Sequence, residues 1–149
     1  MSDPHVIRPA TVADASELAR LISLLGYPPT ADALSATWQS WAGPHNWALV
    51  AQGSGCLLGA ITFHCMVVLH RPQPVGRITS LVVDPASRGR GLGRALVVAA
   101  ERSLREAGCG LLEVTSHARR AEAHDFYRHL GYEQTSLRFA KVLVPPNTN

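Results

Sequence analysis

With 149 residues, 46% of them apolar and 17% charged, the chain is long enough for one domain to bury roughly 68–70% of its extended surface, and it holds no apolar run of about 18 residues that would span a bilayer. The net charge of +3 is concentrated in Arg77, Arg88, Arg90, Arg94 and Arg102 around one glycine-rich stretch, a bias that a phosphorylated small molecule explains as well as nucleic acid. Met1 to His5 lack the basic, apolar and small-residue pattern of a secretory signal, and Cys56, Cys65 and Cys109 are odd in number, far apart and without metal-ligand spacing, so a cytoplasmic chain with reduced thiols and no disulfide is expected.

No repeat, low-complexity stretch or linker divides the sequence, so a single domain is expected over residues 1–149, with its core over about 5–143. Residues 5–8 form a strand candidate. Thr11 or Asp14 can cap the helix that follows, whose Leu18, Leu21, Ile22 and Leu25 fall at helical spacing before Gly26 stops it. Thr30 stands in N-cap position for a second helix with Ala33, Leu34, Trp38 and Trp41, ended by Gly43-Pro44. Residues 47–51 and 56–68 read as an antiparallel hairpin around Gln52-Gly53-Ser54-Gly55.

The prolines of His70-Arg71-Pro72-Gln73-Pro74 refuse a ladder, and residues 77–84 then form the most apolar strand. Its uneven alternation fits a central strand covered on both faces, or a bulge. From Gly91 to about Ala107 the apolar positions Leu92, Ala95, Leu96, Ala99, Ala100 and Leu104 line one side of a long helix. Residues 111–115 are a strand in parallel crossover, residues 121–130 a helix closed by Gly131, and residues 132–143 supply the last strands. The order β-α-α-β-β-β-α-β-α-β is an α/β plan on a mixed sheet, expected to hold six or seven strands and four helices.

Arg88-Gly89-Arg90-Gly91-Leu92-Gly93 lies between the central strand and the long helix. Without Cβ atoms the backbone can approach an anion closely, and the first helical turn adds unpaired N–H groups and the positive dipole end. A Walker loop is excluded because no Gly-Lys-Ser or Gly-Lys-Thr occurs, and a dinucleotide fingerprint because the cluster sits past mid-chain as G-x-G-x-G.

Leu81-Val82-Val83-Asp84-Pro85 followed by Arg88-x-x-Gly91-x-Gly93 and an amphipathic helix resembles motif A of the Gcn5-related N-acetyltransferases (GNAT). About 35 residues on, Ala123-His124-Asp125-Phe126-Tyr127-Arg128-His129-Leu130-Gly131-Tyr132 resembles the family's motif B. The resemblance, to a small single-domain member of bacterial type, implies an acyl-CoA N-acyltransferase fold and acetyl transfer from acetyl-CoA to a primary amine attacking directly in a ternary complex. It implies that backbone groups of Leu81, Val82 and Val83 pair with the pantetheine arm. It also implies that Arg88, Gly89, Arg90, Gly91, Leu92 and Gly93, with Arg94 added, cradle the pyrophosphate. The thioester slot would separate Leu81, Val82 and Val83 from Val114, Thr115 and Ser116. Arg120 stands where many relatives carry an Asn that contacts pantetheine.

By the same resemblance Tyr127 is the general acid that protonates the departing CoA thiolate, since a phenol of ordinary pKa near 10 stays protonated at neutral pH. For a general base the strand offers only Thr79, Ser80 and Asp84, with Glu113, His64, His117 and His124 as further candidates, and a direct base need not exist. No metal is expected, because the seven histidines match no zinc pattern. Between Leu21 and Trp47 there is one acid, Asp32, no Lys or Arg, and Tyr27, Trp38, Trp41 and Trp47. That favours a small-molecule or peptide amine with an apolar part over a polycationic aminoglycoside. The alternatives are an acyl-CoA-binding sensor without transferase activity and an aminoglycoside acetyltransferase. Neither a nucleic-acid nor a membrane partner is expected, and a homodimer is an expectation by family analogy.

Overall fold

The computed structural model describes residues 5–26, 29–115 and 121–144, which fall into two compact units, Met1–Val114 and Thr115–Asn149. The first opens with β1 (Val6–Pro9), a 3-10 turn (Val12–Asp14) and helix α1 (Ala15–Ser23). Asp14 fixes this entry: its carboxylate accepts from the Thr11 N–H at 2.8 Å and from both Arg8 Nη atoms at 2.9 Å. Helix α2 (Ala31–Trp41) starts where expected, with Thr30 Oγ1 accepting from the Ala33 N–H at 3.0 Å.

Strands β2 (Asn46–Gln52), β3 (Leu57–Met66), β4 (Val75–Val83) and β5 (Leu111–Val114) extend the sheet in the order β1-β2-β3-β4-β5. The first four are antiparallel neighbours, and β5 runs parallel to β4 after the crossover helix α3 (Leu92–Glu106). One sheet face carries α1 and α2, through Leu18 and Leu21 packed with Val50, Leu57, Ala60 and Val82, and with Leu34 and Trp38 against them. Helix α3 lies on the other face. A Cβ at Gly59 would stand 3.2 Å from Leu96 Cδ1, and one at Gly76 2.7 Å from Leu104 Cδ1, so these two glycines let the helix sit close.

The second unit holds α4 (Ala121–His129), ended by Gly131 at φ +91°. Among the described residues the sheet has five strands, not six or seven, because residues 132–144 carry none. A strand needs a partner ladder as well as an alternating pattern, and here the apolar set that suggested strands is open to solvent: Leu137 is 76% and Phe139 90% exposed. No helix among the described residues is long and apolar enough to cross a membrane.

Candidate active site

Strand β4 is irregular where the sequence pattern is. Thr62 pairs with Ser80 but Phe63 with Ile78, so Thr79 is an extra residue, a bulge. Its hydroxyl lies 2.7 Å from Thr62 Oγ1, which also bonds Ser80 Oγ. On the other edge the parallel ladder runs from Val75↔Leu111 only as far as Ile78↔Val114. Leu81, Val82 and Val83 thus lie beyond the last β4–β5 pair. Val82 is buried in the α1/α2 core while Leu81 and Val83 are half-buried. A strand edge left without a ladder offers main-chain donors and acceptors to an extended ligand.

Past β4 the chain is set by Asp84. Its Oδ1 accepts from the Ala86 N–H at 3.0 Å, capping a 3-10 turn (Pro85–Ser87), and its Oδ2 receives Arg20 Nη1 from α1 at 2.6 Å. Arg20 also donates to the Leu57 carbonyl at 2.9 Å. The Arg20 guanidinium, and then the Ala86 N–H, hold the Asp84 carboxyl below the usual carboxylate range, so Asp84 is an anchor and not a base. No sequence signal pointed to Arg20, which stands 64 positions from its partner.

Gly89 and Gly91 follow at φ +81° and +77°, with nothing within 4 Å of a Cβ built on either. Their side-chain hydrogens therefore answer a backbone requirement, and the space above the loop is open for a ligand. Gly91 is the N-cap of α3, and the first bond into that helix runs from the Ala95 N–H to the Gly91 carbonyl at 3.0 Å. The N–H groups of Leu92, Gly93 and Arg94 precede any intrahelical acceptor and stand at the positive dipole end. Arg88, Arg90 and Arg94 are exposed around them, whereas Leu92 is 2% exposed and roots the loop in the core. First-turn amides ahead of any intrahelical acceptor, open space at two glycines and three exposed arginines are features that suit a phosphate group.

Register also assembles what the sequence keeps apart. Asn46, His64, Arg77 and Glu113 are successive cross-strand neighbours on β2, β3, β4 and β5. They share the face of Ala60 and Thr62, away from α3. Arg77 Nε donates to Glu113 Oε1 at 2.8 Å. His64 is pushed below its ordinary pKa by burial first and Arg77 second, partly offset by Glu113. Neutral imidazole is therefore the prevailing form at pH 7.

Tyr127 belongs to the second unit. It packs edge-on to Phe126 and Tyr132 at centroid distances of 5.1 and 5.6 Å. Its carbonyl accepts the Tyr132 N–H at 3.0 Å while Gly131 N–H reaches Arg128, which closes α4 in a Schellman motif. Burial pushes the phenol up to about 12, so it holds its proton. His124 lies on the same helix, and Ser116, His117 and Arg120 lie outside the described residues. Among the described residues no three His, Cys, Asp or Glu are grouped to hold a metal.

Residues 15–132 match the model of the acetyltransferase (GNAT) family, across both units. The chain belongs to this family. This GNAT protein is 33% identical over 142 residues to the aminoalkylphosphonate N-acetyltransferase of Salmonella typhimurium, covering 92% of this chain and 90% of that one. To the aminoglycoside N(6')-acetyltransferase type 1 of Stenotrophomonas maltophilia it is 35% identical over 133 residues, covering 87% and 86%. Its fold matches an aminoglycoside N-acetyltransferase solved in complex with CoA at a TM-score of 0.84, with 19% identity and coverage of 97% and 98%. It is an acetyl-CoA-dependent N-acetyltransferase of GNAT fold, a transferase that acylates amines.

Proposed function

We propose that the acetyl-CoA of this enzyme lies along β4, its pantetheine arm bonded to main-chain groups of Leu81, Val82 and Val83 and its pyrophosphate held by residues 88–94. The observation that carries this reading is the coincidence, at one end of β4, of a ladder that stops at Ile78 and a glycine loop with open space above it. The acceptor amine, deprotonated, attacks the thioester carbonyl directly. As the tetrahedral intermediate collapses, the Tyr127 hydroxyl gives its proton to the departing thiolate, and the proton that the acylated nitrogen gives up restores the phenol through solvent, so free CoA and a neutral acetamide leave.

The acceptor is a small primary amine, and an aminoalkylphosphonate is the first to test. The relative acting on that class aligns over nine-tenths of both chains. The sheet face of Ala60 and Thr62 bears hydroxyls and Arg77, and its Glu113 carboxylate is already paired with Arg77. A polycationic aminoglycoside would call for several unpaired carboxylates. The enzyme works in the cytoplasm as one catalytic domain and, by family analogy, as a homodimer. The test is a panel of aminoalkylphosphonates, other small amines, peptides and aminoglycosides, read by thiol release and product mass. Turnover of small amines with poor turnover of aminoglycosides is expected, and the reverse ranking would overturn the acceptor assignment.

A further inference from the structure

Cys65 and Cys109, 44 positions apart, are brought to a sulfur-to-sulfur distance of 3.4 Å, with the Cys109 thiol donating to Cys65 Sγ. The approach is built by three features of the fold. Cys65 faces Gly76 across the β3–β4 ladder, and the missing Cβ at Gly76 lets Leu104 lie against the strand. The end of α3 then turns back in a Schellman motif: Gly108, at φ +88°, donates to the Arg105 carbonyl at 3.0 Å, and the Cys109 N–H donates to the Leu104 carbonyl at 3.0 Å. Beyond it, the Gly110 N–H is tied to the Pro74 carbonyl at 3.0 Å, at the entry to β4. Both thiols are half-buried, and neither belongs to the acetyl-CoA site at the opposite end of β4.

We propose that Cys65 and Cys109 are a reversible disulfide site, closed by exchange with a low-molecular-weight disulfide. The sulfurs need to approach by about 1.4 Å to reach bonding distance. Cys65 first gives up its own proton to solvent. Its thiolate attacks one sulfur of the small disulfide, forms a mixed disulfide and expels one small thiolate. Cys109 then loses its proton and attacks Cys65 Sγ, expelling the second small thiol. The protein gives up two electrons and two protons, and one small disulfide becomes two thiols. Burial, and after it the neighbouring Cys65 sulfur, pushes the Cys109 thiol up to about 11. The closed ring encloses β4, the glycine loop and α3, so oxidation fastens the scaffold of the coenzyme site in one covalent loop. In a reducing compartment the pair stays open, and it closes when the thiol pool is oxidised.

The test uses the full-length folded protein equilibrated with graded mixtures of reduced and oxidised glutathione, followed by alkylation and peptide mapping. Expected is a loss of two of the three alkylable thiols, a Cys65–Cys109 linked peptide, and a urea midpoint higher than that of the reduced protein. The Cys65→Ser variant should leave Cys109 as a free thiol or a persistent glutathione adduct. The same mapping in a Cys56→Ser background separates the pair from the exposed third thiol. Full alkylation of Cys65 and Cys109 at every ratio, or a linkage that uses Cys56, would overturn the proposal. In the event that Cys65→Ser fails to fold, the wild-type linkage map decides alone.

Discussion

Replacing Gly91 with alanine tests the phosphate loop through one dihedral. Gly91 sits at φ +77°, and a Cβ there would meet nothing within 4 Å. No steric clash with the protein accompanies the substitution, so the cost is that of holding an L-residue in the left-handed region, about 1–2 kcal/mol. The loop is exposed on the N-terminal side of Gly91, from Arg88 to Arg90, so in the free protein it can relax there and escape most of that strain. CoA must restore the original conformation to reach the amides, and the strain then appears as a rise in Kd of about 5- to 30-fold. Titration calorimetry with CoA reads this directly, with urea unfolding alongside expected to shift by about 0.5 kcal/mol or less. Gly91→Asn should recover part of the loss, because Asn tolerates the left-handed region better than Ala. Wild-type affinity in Gly91→Ala, or an Asn variant as weak as the Ala variant, would refute the reasoning.

Tyr127→Phe should lower kcat while leaving the acetyl-CoA Kd close to wild type, and a pH profile of the wild type should show no alkaline loss of this donor below about 11, given a phenol at about 12. Unchanged turnover would remove the acid role. Arg20→Ala should raise the KM for acetyl-CoA several-fold with kcat retained, because Asp84 loses the partner that steadies the start of the loop. The accompanying stability loss should be about 0–1 kcal/mol, since the pair is partly exposed. Leu96→Ala, at a fully buried position of α3, should cost about 2–5 kcal/mol in urea unfolding. Asp14 and Asp84 are both held below the ordinary carboxylate value of 3.8, Asp14 mainly by the Arg8 hydrogen bonds and Asp84 mainly by Arg20. Their contribution to stability is therefore complete above that value and is lost as pH falls through the lower, folded-state values; acid titration of Arg8→Ala should show a shallower loss.

What is local in sequence was legible. Thr30 as a cap, Gly26 and Gly131 as helix stops, and the glycine loop opening α3 each act through neighbours a few residues away. The uneven pattern of β4 left a central strand or a bulge open; the strand lies between β3 and β5 and carries a bulge, and that Thr79 is the extra residue depends on the register with β3. The terminal strands were over-read, because alternation at Leu137 and Phe139 describes one side of a ladder without supplying the other. Three features are consequences of pairing across long separations: the Arg20–Asp84 link, the row from Asn46 to Glu113, and the Cys65–Cys109 approach. Cys65 and Cys109 are far apart in sequence, which led to the expectation of no disulfide, and the closeness of α3 over Gly76 brings them together.

The main-chain cradle is open to direct observation by amide NMR of the folded protein titrated with CoA. The account predicts that the amides of Gly89, Arg90, Gly91, Leu92 and Gly93 shift together with one binding curve, along with those of Leu81, Val82 and Val83. Saturable CoA binding that leaves those amides in place while others move would contradict it.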